Sequence, residues 1–132
     1  MKCSTYLRDS EEVTIDVYAK DCPSRQVLNR IGDTWSVLII VSLADGPRRY
    51  SELAARIEGV SPKMLTQTLR GLERDGLITR AVFAEVPPRV EYDLTTLGHS
   101  LLGLVSGLEA WAQEHMPDVV NARDAYDTRV HA

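Results

Sequence analysis

Four polar side chains recur at helical spacing near the middle of the chain, and all can donate hydrogen bonds: Lys63, Gln67, Arg70 and Arg74. Separations of four, three and four residues place them on one face of a helix, with Thr66 beside that face. Side chains of these types match the base edges and phosphates of a DNA major groove. A solvated helix surface has a similar composition, so the helix alone leaves that second interpretation open.

The opposite face of the same segment is apolar. Three leucines lie four and three residues apart and are predicted to be buried: Leu65, Leu69 and Leu72. Ser61 is expected to cap the helix N-terminus at the edge of the DNA surface, with Pro62 in the first turn. The helix is expected to reach about Asp75 and to end at Gly76.

Three further helices are predicted before this one. They cover approximately residues 24–31, 34–44 and 50–57. Asp33 is expected to cap the second helix, which is apolar almost all round and therefore belongs to the core. The third is expected to bury three side chains: Leu53, Ala54 and Ile57. A short turn then joins the third helix to the basic one, as in a helix-turn-helix.

Two strands are predicted after the basic helix. Residues 77–86 are rich in β-branched and apolar side chains, and Val90, Tyr92 and Leu94 alternate beyond a double proline. A pair of strands in this position forms the β-wing of a winged helix-turn-helix. Arg89 lies beside the proline tip, from which a wing reaches a minor groove. Four arginines are therefore candidates for supporting and wing contacts with DNA: Arg48, Arg49, Arg80 and Arg89.

A long helix is predicted next, from Thr95 or Thr96 to about Met116, with Pro117 ending it. It carries an apolar stripe at helical spacing, from which we select four candidates for a dimer interface: Leu101, Leu104, Leu108 and Trp111. Packing on its own domain is the alternative. A dimer accounts better for a stripe of this length, because a second copy supplies a second half-site on a two-fold operator.

The charge of the chain is unevenly distributed. Its 132 residues carry a formal net charge of −4, which taken alone argues against a nucleic-acid partner. Residues 46–90 contain eight Lys or Arg and five Asp or Glu, a local charge of +3, whereas the remainder carries −7. The basic charge is thus concentrated in the predicted DNA-binding segment, and the acidic remainder is expected to discourage indiscriminate binding.

The sequence argues against several classes of protein. The longest apolar run, residues 37–41, is far shorter than the roughly 20 residues of a membrane helix, and no signal peptide is evident. We therefore expect a cytoplasmic protein. Two cysteines and three histidines at wide spacing predict no disulfide framework and no structural metal, and no cofactor motif is present.

Seven segments in order resemble the HxlR family of bacterial winged-helix regulators, which are related to the MarR type. They are residues 22–23, 31–35, 45–53, 59–70, 72–78, 85–92 and 94–98. The resemblance implies a homodimeric transcription factor that binds double-stranded DNA. It also implies a fold that is mainly α with a small β-wing (α+β), dimerised by N- and C-terminal helices. We divide the chain into an arm (1–21), this domain (22–116) and a tail or short helix (117–132).

Cys22 stands just before the first helix, where the resemblance implies a cysteine that senses oxidants or electrophiles. A helix N-terminus stabilises a thiolate and so raises its reactivity, helped by Arg25 and opposed by Asp21. Cys3 is a candidate resolving partner. The alternative is that Cys22 is merely a small buried hydrophobe.

Two other functions compete with a DNA-binding regulator. A winged helix that binds proteins should carry apolar or aromatic residues where this chain has Lys63, Gln67, Arg70 and Arg74. A thiol enzyme acting through Cys22 would need a Cys-x-x-Cys motif or a nearby histidine base, and neither is present. The residues therefore predict a regulator without a catalytic site, in which Arg70 makes a base contact worth about 1–3 kcal/mol.

Overall fold

The computed structural model describes residues 16–130. Within that range the order of elements is the predicted one, with one additional short strand. The elements are α1 (Pro23–Gly32), α2 (Thr34–Ser42), β1 (Arg48–Arg49), α3 (Tyr50–Arg56), α4 (Pro62–Arg74), β2 (Ile78–Phe83), β3 (Arg89–Leu94) and α5 (Thr96–Val130). The predicted class, mainly α with a small antiparallel sheet, is confirmed.

The helix α2 forms the centre of the core, as its apolar sequence predicted. Ile39 and Ile40 have no solvent exposure, and they pack in one cluster with the leucines of α3 and α4. The predicted cap is also present, because the Asp33 carboxylate accepts a hydrogen bond from the Ser36 amide at 3.3 Å. The break between α1 and α2 is therefore stabilised by a contact between residues three apart, which can be predicted from the sequence.

The helix-turn-helix consists of α3 and α4. Ser61 caps α4 as predicted, since its hydroxyl accepts from the Met64 amide at 3.1 Å. At the other end Gly76 adopts φ +77, a conformation that other residues rarely take, and the chain turns there into β2. Leu53 is buried as predicted, but the expectation for Ala54 is wrong, because its side chain is exposed.

The sheet has three antiparallel strands in the order β1–β3–β2. Strand β2 is shorter than the predicted 77–86. It ends at Phe83, which pairs with Arg89, so residues 84–88 form the tip of the wing without strand partners. Leu77, the predicted first residue of the strand, is not part of β2. Its amide instead donates a hydrogen bond to the Leu72 carbonyl at the end of α4. The strand β1 was not predicted, and Arg48 pairs there with Tyr92.

The predicted end of the last helix at Met116 is wrong. Helix α5 begins after Thr95, whose hydroxyl accepts from the Gly98 amide at 3.0 Å, and it continues through Pro117 to Val130. A proline within a helix removes one backbone hydrogen bond and costs about 3 kcal/mol, which a helix of 35 residues tolerates. The Gln113 carbonyl that loses its donor lies on an exposed turn, where it is accessible to solvent.

Residues 117–130 thus belong to α5 and form neither a separate short helix nor a loose tail. Most of the predicted arm (1–21), with the alternation at Val13 and Ile15, lies outside the described residues. Its boundary with the domain stays a prediction. Between residues 16 and 130, no helix is long and apolar enough to cross a membrane.

Candidate nucleic-acid interface

The two faces of α4 are separated as the spacing predicted. Leu65, Leu69 and Leu72 are buried in the core, with at most 1% of each side chain exposed. The predicted contact residues are exposed on the other face, except for Thr66, which is half-buried: Lys63, Thr66, Gln67, Arg70 and Arg74. Helix α4 therefore presents a continuous polar surface about 13 residues long.

Helix α4 is held against the rest of the domain from behind. The guanidinium Nε of Arg30, on α1, lies 2.9 Å from the Asp75 carboxylate at the C-terminal end of α4. Gly71 makes room for this arginine, since a Cβ at that position would come closer than 3 Å to the Arg30 guanidinium. This ion pair was not predicted, because its partners are 45 residues apart along the chain.

Tyr50, the first residue of α3, is a second positioning residue that the sequence analysis missed. Its hydroxyl donates to the Pro62 carbonyl at 3.2 Å and lies 3.4 Å from the Thr66 hydroxyl. Both partners lie in the first half of α4. This contact therefore fixes the N-terminal end of the polar face relative to α3, just as Arg30 fixes the other end.

Arg48 and Arg49 lie side by side but have different surroundings. The Arg48 guanidinium donates to the Ser42 carbonyl at 2.7 Å and lies 3.8 Å from the Glu52 carboxylate. Arg48 therefore ties β1 to the end of α2. Arg49 is exposed and lines a surface cavity together with residues of the wing tip.

The wing arginine, Arg89, makes contacts within the wing. Its guanidinium carbon lies 4.2 Å from the centre of the Phe83 ring, a cation–π distance. The guanidinium also lies 3.4 Å from the Glu85 carboxylate and 3.7 Å from that of Glu91. Its Nε is buried without a hydrogen-bond partner among the described residues. The wing tip is therefore held together by the side chain that was expected to reach the minor groove.

Arg80 projects from β2 toward α4. It pairs across the strands with Tyr92, and with Arg70 and Thr66 it lines a cavity of about 330 Å³ between the helix and the sheet. The structure thus brings Thr66 and Arg70 of α4 together with Arg80 of β2, and it likewise places Arg49 and Arg89 at one surface cavity. Arg74 lies one turn beyond Arg70 at the end of the helix and does not line this cavity.

Cys22 is the N-cap residue of α1 and is completely buried. Its sulfur lies 2.9 Å from the Ser24 hydroxyl, and the sulfur is in the disulfide form. Cys22 therefore stands at the predicted position at a helix N-terminus, with its sulfur in a disulfide bond. Cys3, the candidate resolving partner, lies outside the described residues.

The apolar stripe of α5 is divided between core and surface. Leu101 is half-buried and packs against the core, whereas Leu104, Leu108 and Trp111 are each more than half exposed. The exposed apolar side chains continue beyond Pro117, and they include Val120, Tyr126 and Val130. Most of the stripe is thus exposed to solvent within residues 16–130, although water is a poor environment for it.

Comparison with known proteins agrees with this geometry. Residues 30–120 match the family model described as HxlR-like helix-turn-helix. The chain belongs to the HxlR-like helix-turn-helix family. Among its relatives, the HTH-type transcriptional regulator YtfH of Escherichia coli K12 is 44% identical over 109 residues, covering 83% of this chain and 86% of the relative.

Two solved structures extend the comparison. The transcriptional regulator YtfH from Salmonella typhimurium superposes with a TM-score of 0.80 at 42% identity, covering 84% of this chain and 99% of that one. The redox regulator HypR in its oxidized form gives a TM-score of 0.65 at 35% identity, covering 70% and 96%. This HxlR-like chain is therefore a transcriptional regulator with a helix-turn-helix fold, and its relatives are regulators rather than enzymes.

Proposed function

We propose that this HxlR-like regulator is a homodimer that binds a two-fold DNA operator in a sequence-specific manner. The observation that carries the proposal is the exposed face of α4. Lys63, Gln67 and Arg74 lie there without an ion pair or side-chain hydrogen bond to another residue of the range 16–130. Side chains that have no partner in the free protein are available to base edges and phosphates in a major groove.

The contacts that hold α4 against α1 and α3 support the same proposal. A helix that selects a DNA sequence must hold its side chains at fixed positions, because each base contact depends on hydrogen-bond geometry. Arg30 and Tyr50 hold α4 at its two ends, at Asp75 and at Pro62 respectively. We infer that α4 enters the groove as a rigid unit, with Ser61 and Lys63 at the end that enters first.

The exposed apolar side of α5 supports the proposed dimer. Three of the exposed residues, Leu104, Leu108 and Trp111, lie on one stripe at spacings of four and three, as in helices that pack against each other. A segment of 14 residues that contains Pro117 is also too short to remain helical alone. A second copy of α5 would cover the stripe and stabilise that extension.

A winged helix that binds a protein partner is the second candidate. The apolar stripe of α5 favours an interaction between proteins, but the exposed face of α4 consists of charged and amide side chains. Surfaces that bind proteins are enriched in aromatic residues and depleted in lysine at their centres. The surface of the helix-turn-helix therefore favours DNA as its partner, and the stripe favours a second copy of this chain.

Selection from a pool of random DNA duplexes tests the proposed function. The purified protein is mixed with the pool, and the bound duplexes are recovered and sequenced through several rounds. We expect enrichment of one sequence that contains two inverted half-sites about one helical turn apart. Recovery of duplexes that share no sequence would overturn sequence-specific binding and favour a protein partner.

We further propose that oxidants or electrophiles act on the regulator through Cys22. Formation of a disulfide joins two thiol sulfurs and releases two protons and two electrons, which the oxidant accepts. Hypochlorite is one such oxidant and becomes chloride and water. Support comes from the buried, disulfide-bonded Cys22 at the start of α1, and from the similarity to HypR, a redox regulator.

Cys22→Ser is expected to abolish the effect of oxidants on DNA binding. Diamide or hypochlorite should change the operator affinity of the reduced wild-type protein and leave that of the variant unchanged, as measured by gel shift. The variant Cys3→Ser shows whether Cys3 supplies the second thiol of the disulfide. Thermal unfolding of each variant checks that it remains folded. An undiminished oxidant response in folded Cys22→Ser protein would place the sensor elsewhere.

A further inference from the structure

A polar cavity of about 330 Å³ lies between the helix α4 and the sheet of the wing. Side chains from four elements meet there: Tyr50, Thr66, Arg70, Glu73, Arg80 and Tyr92. Two of the six carry a positive charge and one carries a negative charge, so the local charge is positive. The cavity lies between the two parts of the fold proposed to contact DNA, namely α4 and the wing.

Arg80 occupies this position because of the register of the sheet. Ile78 pairs with Leu94 and Arg80 pairs with Tyr92, and alternate residues of a strand share one face. Ile78 and Leu94 are buried in the core on that face. Arg80 therefore projects from the same face, one pair farther along, where the core ends and the cavity begins.

Neither Arg70 nor Arg80 is neutralised within the part of the chain that the structure describes. Arg30, Arg48 and Arg89 each form an ion pair with a carboxylate at 4 Å or less. No such pair involves either arginine of the cavity. Two unpaired guanidinium groups that line one small cavity repel each other, and an anion between them would relieve that repulsion.

We propose that this cavity binds one phosphodiester group of the DNA backbone, held between Arg70 and Arg80. The proposal rests on the proposed function, because it specifies one contact of the same DNA surface. The planar guanidinium fork matches the geometry of two phosphate oxygens. A phosphate at the junction of helix and wing would fix the register of α4 in the groove.

This assignment changes the role expected for Arg70. The spacing on α4 predicted a base contact, whereas the position beside Arg80 assigns the side chain to the backbone. Gln67, which does not line the cavity, remains the amide side chain available to a base. The Glu73 carboxylate also lines the cavity and opposes an anion there, which provides a second variant with the opposite expected effect.

The salt dependence of DNA binding tests the phosphate site. We expect Arg80→Gln to reduce the slope of log affinity against log salt by part of the value of about 0.9 that one phosphate contact on B-DNA gives, and the double variant Arg70→Gln/Arg80→Gln to reduce it by the whole of that value. The affinity should fall about tenfold at roughly 0.1 M salt, and by the same factor for operator and unrelated duplexes. Arg70→Gln should behave in the same way, and Glu73→Gln should raise the affinity for both duplexes.

Lys20→Gln is the matched control, because it removes the same charge from an exposed position outside both the proposed DNA surface and α5. Its slope should equal that of the wild type. A wild-type slope in Arg80→Gln, or a loss confined to the operator, would overturn the phosphate site. Failure of the proposed function is distinguishable, because the wild-type protein would then show no preference for any duplex.

Free phosphate is the other source of the same chemistry, and a titration with inorganic phosphate separates the two. NMR signals of the arginine Nε–H groups report binding at the cavity directly. We expect weak binding to the free protein that saturating operator DNA abolishes. Phosphate that binds equally well to the protein–DNA complex would show that the cavity serves a free anion, and would overturn the assignment to the backbone.

Discussion

Leu104→Asp combined with Leu108→Asp is expected to convert the protein into a monomer and to lower its operator affinity at least about a hundredfold. Both leucines are more than half exposed within the described chain, so the substitutions leave the core unchanged. In a dimer they would place charges opposite each other in an apolar interface, which is costly. The loss is large because linked half-sites gain a factor of about 10²–10⁴ over separate ones.

Sedimentation equilibrium measures the first effect, and fluorescence anisotropy with a labelled operator measures the second. Ala110→Asp is the matched control, since it adds one charge to an exposed residue on the opposite side of α5. That variant should remain dimeric and should bind DNA as the wild type does. A double variant that stays dimeric would show that the α5 stripe is not the dimer interface.

Gln67→Ala is expected to lower the affinity for the operator by about 1–3 kcal/mol, because an amide that contacts adenine through two hydrogen bonds contributes roughly this much. The affinity for an unrelated duplex should hardly change, since phosphate contacts dominate there. Gln67 is exposed at the middle of the polar face of α4, and its removal does not disturb the buried leucines. The ratio of the two affinities is thus the informative quantity.

Competition titrations with both duplexes at one salt concentration give that ratio. Gln26→Ala removes an exposed glutamine from α1 and serves as the control, with an unchanged ratio expected. An equal loss on both duplexes in Gln67→Ala would mean that this residue contacts the backbone. An unchanged affinity on both would remove α4 from the interface.

The features that local sequence determines were predicted well. The two faces of α4 follow from residue spacing alone, and its cap at Ser61 needs only the amide of Met64, three residues away. The same is true of Asp33 and Thr95, whose side chains accept from amides three residues along the chain. Such contacts form within one helical turn, so their chemical types and spacing suffice to identify them.

Features that depend on distant partners were not predicted. The strand β1 contains only two residues, and it exists because Arg48 pairs with Tyr92, far along the chain. The position of Arg80 beside Arg70 likewise requires the register of β2 against β3. Pro117 was expected to end α5. The loss of one hydrogen bond there is small compared with the many backbone hydrogen bonds of a 35-residue helix. These outcomes depend on tertiary contacts or on a balance of energies, and neither can be inferred from the spacing of residue types along the sequence.

The most direct test of a dimer on a two-fold operator is calorimetric titration of the selected operator and of a duplex carrying only one half-site. We expect two chains per operator and an affinity at least about a hundredfold higher than for the single half-site. One chain per operator, or equal affinity for the two duplexes, would contradict the proposed dimer.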